Sequence, residues 1–275
     1  MTDSIIITTA NGQSRVYTGS CLHLLPSLLS GRKVFVITDN NVSHHLSAHF
    51  PDAPVLIIES GESSKNWKTL AEAGRWLLDQ GADRSAFILG FGGGMVCDLA
   101  GFLASIYMRG IGFGFVSTTL LSQTDASVGG KNGINLDGYK NILGVFNQPE
   151  FVLCDPILLE TLPDKEWRNG LAEVVKHALI ADQAMFDLME QNINRILLRD
   201  HAFAAYMVNR SVEIKSHIVR EDEREHGIRR KLNLGHTLGH AVERATGMPH
   251  GYAVSTGLAF AAGFSVAEGR LKASD

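Results

Sequence analysis

Short apolar runs alternate with amphipathic stretches through the first half of the chain. "KVFVITD" (33–39) has the character of a buried strand that ends at an Asp-Asn-Asn turn, and "APVLIIES" (53–60) has the same character. "NWKTLAEAGRWLLDQG" (66–81) carries apolar residues at helical spacing and stops at Gly81, a natural residue to follow a helix end. "SAFILGFGGG" (85–94) is a strand running into glycines and then a helix, and "GFGFVST" (112–118) is a further strand. Short apolar runs separated by helices predict a parallel sheet covered on both faces. After "FVLCD" (151–155) the strand rhythm disappears. From about residue 164 the pattern predicts helices, in "DKEWRNGLAEVVKHALI", "DQAMFDLMEQNINRILL", "HAFAAYMVNRSVEIKSHIVRED", "NLGHTLGHAVERATG" and "GYAVSTGLAFAAGFSVAEGR". The expected architecture is an α/β N-terminal domain followed by an all-α C-terminal domain, joined near the prolines of "DPILLETLP". Ligands commonly bind at such junctions.

Composition narrows the class of function. The 275 residues suffice for one large domain or two ordinary ones, and 45% hydrophobic with 20% charged residues is a globular balance. A formal charge of −4 gives no general attraction to nucleic acid or anionic membranes. "MTDSIIITTANGQ" lacks the pattern of a signal peptide, and no uncharged apolar run reaches the roughly 18 residues of a spanning helix. Cys21, Cys97 and Cys154 are widely spaced and odd in number, the pattern of small buried thiols kept reduced in a cytoplasm.

Three stretches carry candidate chemistry. In "ILGFGGGMVCDLAGFLAS" an apolar strand meets Gly90, Gly92, Gly93 and Gly94 and then a helix, a place where a phosphate can approach the backbone and free N–H groups. Neither phosphate-loop fingerprint is met: G-x-G-x-x-G fails at Met95, and no Gly-Lys-Ser/Thr follows. Asp98 reads as a first-turn carboxylate favoured by the helix dipole. The stretch 117–149 is rich in small polar residues and reads as a loop. It is either simply solvated or carries Lys131 and Lys140, with Arg109 just upstream, to an anionic substrate.

The third stretch is the most specific. Seven of the eleven histidines lie after residue 170, and "KLNLGHTLGHAVE" places His236 and His240 on one helical face. His250 follows at a helix start, while Glu173 sits on an otherwise apolar helix with Lys176 one turn later. Burying that carboxylate unpaired is costly, and a His/His/Glu set with one open position is how catalytic zinc is held. The metalloprotease motif H-E-x-x-H fails, because Thr237 stands where its general base is needed. Residue chemistry alone leaves open whether both histidines of the pair bind metal or one of them acts on a substrate.

The blocks "GGGMVCDLAGFLAS", "STTLLSQTDASVGGKNGINL", "YKNILGVFNQP", "GLAEVVKHALI" and "LNLGHTLGHAVE" resemble the 3-dehydroquinate synthase family of sugar-phosphate cyclases, from about residue 33 to 270. The resemblance implies an NAD-binding α/β domain with a mainly parallel, Rossmann-like sheet (1–160) and a helical metal- and substrate-binding domain (161–275). It implies Glu173, His236 and His250 as ligands of a divalent metal, zinc or alternatively cobalt, and turns His240 toward substrate. The implied substrate groups are Arg109, Asp125, Lys131, Lys176, Lys215, Arg229 and Asn233. The implied NAD positions are Asp39, Asn41, Glu62, Lys65, Gly93, Gly94, Asp98, Thr118, Thr119, Lys131, Lys140 and Thr161. The implied reaction converts 3-deoxy-arabino-heptulosonate 7-phosphate to 3-dehydroquinate and phosphate. It proceeds by transient oxidation with NAD, β-elimination, reduction and aldol closure, in a cytoplasmic homodimer with no nucleic-acid or membrane partner.

Two departures from the family pattern stand out. Tyr252 occupies the position of a usual Glu after the Gly that follows the third metal histidine, so a packing change is expected there. The family also continues past "AEGRLKASD" through a further helical stretch with another substrate lysine. The competing expectations are a cyclase of another sugar phosphate, a metal-dependent polyol or alcohol dehydrogenase, and a non-catalytic NAD-binding remnant.

Overall fold

The computed structural model describes residues 2–10 and 12–272. Among these described residues nine strands are formed: β1 (Thr2–Thr9), β2 (Gly12–Gly19), β3 (Lys33–Asp39), β4 (Val55–Ile58), β5 (Ala86–Gly92), β6 (Gly112–Ser117), β7 (Lys131–Leu136), β8 (Tyr139–Phe146) and β9 (Phe151–Cys154). Ten α-helices accompany them among the same residues: α1 (Leu25–Leu29), α2 (Asn40–Leu46), α3 (Trp67–Asp79), α4 (Gly94–Ile106), α5 (Asp164–Ala181), α6 (Gln183–Gln191), α7 (Ile193–Leu197), α8 (His201–Glu221), α9 (His236–Thr246) and α10 (His250–Ala267).

Seven strands make one sheet in the order β1-β2-β9-β6-β5-β3-β4, parallel throughout except for β1 at the edge. Successive residues of the parallel strands face opposite sides, so both sides need apolar cover. Ile37, Ile88 and Val152 join one cluster, which continues through Trp167 and Val174 of α5 to Met207 and Val212 of α8. Val36, Leu89 and Leu153 join the other, against Leu25, Leu29 and Leu158. The sheet and the helices of the second half thus share one continuous core. Cys21, Cys97 and Cys154 are all buried and unpaired. Among the described residues, no helix is long and apolar enough to cross a membrane.

Strand order sets the position of the first site element. The chain passes from β3 outward to β4, then returns to β5 on the other side of β3. That reversal opens a crevice at the carboxyl ends of β3 and β5, the place where open α/β sheets bind ligands. Asp39 ends β3 and accepts a hydrogen bond from Val42 N at 2.9 Å, starting α2 where the sequence pattern suggested only a turn. Gly92 ends β5, and Gly93 stands before α4 with no side-chain cap.

Two hairpins were not expected. The stretch read as a loop contains β7 and β8, paired antiparallel across Asp137 and Gly138, with φ values of 49° and 79°. An Asp-Gly pair suits this two-residue turn because both positions need positive φ. β1 and β2 pair antiparallel as well, next to the Asn-Gly of residues 11–12, of which Asn11 lies outside the described residues. The predicted helix over 182–198 is broken at Asn192 into α6 and α7.

α10 is seated by glycines. A Cβ on Gly251 would lie 1.9 Å from the backbone oxygen of Asn169 in α5, and one on Gly257 equally close to that of Gly235, the residue before α9. Asn169 Oδ1 also accepts from Gly251 N at 2.6 Å. These crossings place His250 beside α5 and the start of α9. Gly257→Ala is expected to force α10 off Gly235 and cost about 1–3 kcal/mol. Gly263→Ala, with nothing within 4 Å, is expected to be neutral or stabilising by about 0.5–1 kcal/mol. Denaturant unfolding of the two variants checks this: equal midpoints would show that the Gly235 contact does not set the crossing.

Candidate metal and dinucleotide site

Glu173 is the centre of the cluster. It lies one turn beyond Asn169 on α5, and its side chain has no exposed surface. His236 and His250 open α9 and α10, and their Nε2 atoms lie 3.5 Å and 3.2 Å from Glu173 Oε1. One ligand atom from each of the three residues falls within a common 4.8 Å. Burial works against ionisation of Glu173, but the Lys176 ammonium paired with its other oxygen, helped by both imidazoles, holds its pKa down to about 2. A buried carboxylate with two imidazole nitrogens turned to one of its oxygens is a donor set suited to a divalent ion with an open coordination position.

His240 does not join that set. It is exposed on α9, its ring centred 5.3 Å from that of His236 and 6.1 Å from that of His250. With His250 and Glu243 it makes a second group of possible ligands, and Asp125, Glu173 and His177 make a third. The third already holds two ammonium groups, since Lys215 lies 2.8 Å and Lys176 3.9 Å from Asp125 Oδ1. In the second, Glu243 is engaged by Lys140 at 2.5 Å. Glu173, His236 and His250 are therefore the set best disposed for a metal.

A shell of cations borders the cluster. Burial disfavours the charged form of Lys176, yet Asp125 and Glu173 keep its pKa raised. Lys215 is pushed down to about 8, chiefly by burial, although Asp125 offers it both a carboxylate and, at 2.5 Å, a backbone oxygen. Asp125 is held well below the usual carboxylate range, burial being outweighed by Lys215 and Lys176. It sits in a single π-helical turn, Ser122–Ala126, packed against α8 and α5. Buried His177 completes this group, its Nε2 3.4 Å from Asp125 Oδ1 and its pKa lowered by burial.

Arg229 is almost wholly buried. It donates to the backbone oxygens of Glu223 and Gly129, leaving Nε with no hydrogen-bond partner among the described residues. Lys131 and Asn233 meet on the carboxylate of Glu225, a residue the sequence reading passed over. Its φ of 62° marks a left-handed position unusual for glutamate, a cue visible only in the fold.

The dinucleotide candidates fall into two groups and several outliers. At the sheet crevice, Asp39 faces the Gly93–Gly94 turn across the switch point, and Thr118 and Thr119 follow β6. Thr118 Oγ1 is buried with no hydrogen-bond partner among the described residues. A Cβ on Gly93 would meet Thr119 at 2.9 Å, and one on Gly94 would meet Ala126 at 3.0 Å, so this turn tolerates no side chain. The uncapped α4 start presents backbone N–H groups to an anion.

In the second group, Lys65 Nζ bridges Glu62 at 3.0 Å and Asp98 at 2.9 Å, and Asn135 of β7 donates to Glu62 at 2.8 Å. Asp98 thus has an ion-pair role in place of the dipole role read from the sequence. It is the fifth residue of α4, and its pKa is raised by burial. Lys140 reaches across to Glu243 on α9. Asn41 and Thr161 are exposed, and the Asn41 backbone N–H supports the Asp39 carboxylate, favouring its ionised form. Arg109 is exposed just before the amino end of β6, the central strand, on the side of the sheet away from the carboxyl-end crevice, and does not join the cluster within this chain.

Comparison with known proteins agrees with this geometry. Residues 55–169 match the family model described as 3-dehydroquinate synthase N-terminal, and residues 170–275 match the one described as 3-dehydroquinate synthase C-terminal. The 3-dehydroquinate synthase of Nitrosomonas europaea is 43% identical over 257 residues, spanning 90% of this chain and 70% of that protein. The crystal structure of 2-deoxy-scyllo-inosose synthase complexed with carbaglucose-6-phosphate, NAD+ and Co2+ has a TM-score of 0.86 at 26% identity, over 97% of this chain and 78% of that one. The 2-epi-5-epi-valiolone synthase of Streptomyces hygroscopicus with NAD+ and Zn2+ bound has a TM-score of 0.85 at 28% identity, over 99% and 79%. The α/β sheet, the convergent Glu-His-His cluster and both family matches lead to one conclusion: this chain belongs to the 3-dehydroquinate synthase family.

Proposed function

We propose that this chain converts 3-deoxy-arabino-heptulosonate 7-phosphate to 3-dehydroquinate and phosphate as an NAD- and metal-dependent carbon–oxygen lyase. One observation carries the reading. Lys176 lies against the Glu-His-His cluster, with Lys215 beside it on Asp125, and Lys131 and buried Arg229 border the same region. So many cations around one small site suit a substrate bearing both carboxylate and phosphate.

A divalent ion, zinc or cobalt, held by Glu173, His236 and His250 supplies Lewis acidity. NAD, when bound, would supply reversible hydride acceptance. Asp39, the Gly93–Gly94 turn and Thr118 would hold the dinucleotide at the crevice, where the uncapped α4 start favours an anionic group. Lys176 and Lys215, positioned by Asp125, hold oxyanions of the substrate. The Arg229 guanidinium, Lys131 and Asn233 bind its anionic groups, which replace Glu225 as the partner of Lys131 and Asn233. His240, whose pKa is lowered chiefly by burial, faces the open side of the cluster as a proton-exchanging group. The departing phosphate takes the proton for its own elimination, so the protein mainly positions groups and stabilises charge. Arg109, at the amino end of the central strand β6, contributes only from a second copy of the chain, an arrangement that a homodimer supplies.

The decisive assay supplies the heptulosonate phosphate with NAD and zinc and follows phosphate and NADH together. Phosphate release without net NADH is expected. NADH accumulating on a polyol would instead identify a dehydrogenase, and turnover only of another sugar phosphate would identify a different cyclase. Glu173→Ala is expected to abolish metal binding and turnover while NAD affinity is kept, as read by metal analysis and NAD titration. Removing this buried partner leaves Lys176 with only the more distant Asp125, 3.9 Å away, at a cost of about 3 kcal/mol.

His240→Ala is expected to retain bound metal but lower kcat about 100-fold. Metal loss in that variant would contradict the division of roles between the two histidines.

Lys215 makes a pH prediction. Its folded-state pKa of about 8 lies below the ordinary lysine value of 10.5. Between these values the unfolded chain binds more protons, so this group makes stability rise with pH. Lys215→Met is expected to flatten that rise in metal-free protein, measured by denaturant unfolding at about pH 7.5 and 9.5. An unchanged slope would show that Lys215 does not contribute it.

A further inference from the structure

The two metal-facing imidazoles are braced differently. His236 Nδ1 lies 3.2 Å from the backbone oxygen of Leu234, an acceptor that fixes the proton on Nδ1 and leaves Nε2 free to face Glu173. His250 opens α10 after Pro249, and the group opposite its Nδ1 is Glu243 Oε2, at 3.7 Å, an ion-pair contact longer than a hydrogen bond. Glu243 is well placed for such a role. Its side chain is only 10% exposed, and its other oxygen is held by Lys140 Nζ at 2.5 Å. Lys140 belongs to β8, so this contact ties the hairpin to α9. A second contact reinforces the tie: the Arg244 guanidinium lies 5.4 Å from the centre of the Tyr139 ring.

We propose that Glu243 is a positioning residue for the metal centre: it braces His250 through Nδ1 with Nε2 turned toward Glu173, and Lys140 of the hairpin holds it in that pose. The inference rests on the assignment of Glu173, His236 and His250 as metal ligands and adds a residue that touches neither metal nor substrate. Carboxylate–histidine–metal arrangements fix the imidazole tautomer and raise its basicity, and losing the outer partner typically weakens metal binding about 10–100-fold. The route through Lys140 couples seating of the β7–β8 hairpin to metal affinity. Lys140 therefore acts on the metal side of the site as well as lying among the candidate NAD residues.

The test measures Zn2+ affinity of the purified full chain by competition with a chromophoric chelator. Glu173→Ala, Glu243→Ala, Glu243→Gln, Lys140→Met and His240→Ala are compared with the unaltered protein, and the Co2+ absorption spectrum is recorded for each. Glu243→Ala is expected to weaken Zn2+ binding about 10–100-fold and alter the Co2+ spectrum. Glu243→Gln, which keeps an oxygen facing Nδ1, should restore most of the affinity and carries the test if the alanine variant does not fold. Lys140→Met should give a smaller loss in the same direction. Unaltered Zn2+ affinity in both Glu243 variants, while Glu173→Ala loses the metal, overturns this inference and leaves the proposed ligand set standing. Loss of metal in His240→Ala and Glu243→Ala but not in Glu173→Ala places the ion on His240, Glu243 and His250, and overturns both.

Discussion

A carboxylate with no exposed surface constrains everything around it. Glu173 stays ionised only because Lys176 pairs with one oxygen and two imidazoles face the other. Lys176 is itself nearly inaccessible and brings in Asp125, which brings in Lys215 and His177. Removing charges from water costs several kcal/mol each unless they are paired, so each member of this chain makes the next one necessary. A hydrophobic core of the same volume is often as stable or more so. Under the proposed function, the network holds in place groups that a cation and an anionic substrate can use.

Geometry satisfies that electrostatic demand through close helix crossings. Gly251 against Asn169 and Gly257 against Gly235 let α10 lie directly on α5 and on the entry to α9. Each contact stands next to or one turn from a member of the Glu-His-His cluster: Gly251 follows His250, Gly235 precedes His236, and Glu173 lies four residues after Asn169. The backbone crossings and that cluster are one arrangement seen at two scales.

The β7–β8 hairpin joins the two ends of the site. Asn135 touches Glu62, which shares Lys65 with Asp98 on the dinucleotide side, while Lys140 touches Glu243 on the metal side. Lys131 at its base meets Glu225. Residues from a stretch only sixteen long thus face the crevice, the cation shell and the metal-bearing helix. The Asp-Gly turn that makes this possible is a local signal, overlooked because the surrounding polar residues read as loop.

Periodicity and composition were enough to determined the alternating α/β half, the helical half and the glycine turn at the end of a strand, because burial on both faces of a parallel sheet and on one face of a helix leaves a repeat in the chain. They also determined that Glu173, His236, His240 and His250 were the residues to watch. Residue spacing alone left the pair undivided, because His236 and His240 share a helical face and differ by one turn; the family resemblance named His236, and the tertiary structure brings it to Glu173. Only tertiary structure decided that Glu225 and Glu243 border the site, that Lys140 reaches α9, and that Arg109 sits at the amino end of the central strand, away from the crevice. Those assignments depend on which surfaces meet at contacts far apart in sequence, and no local pattern of residues records such a meeting.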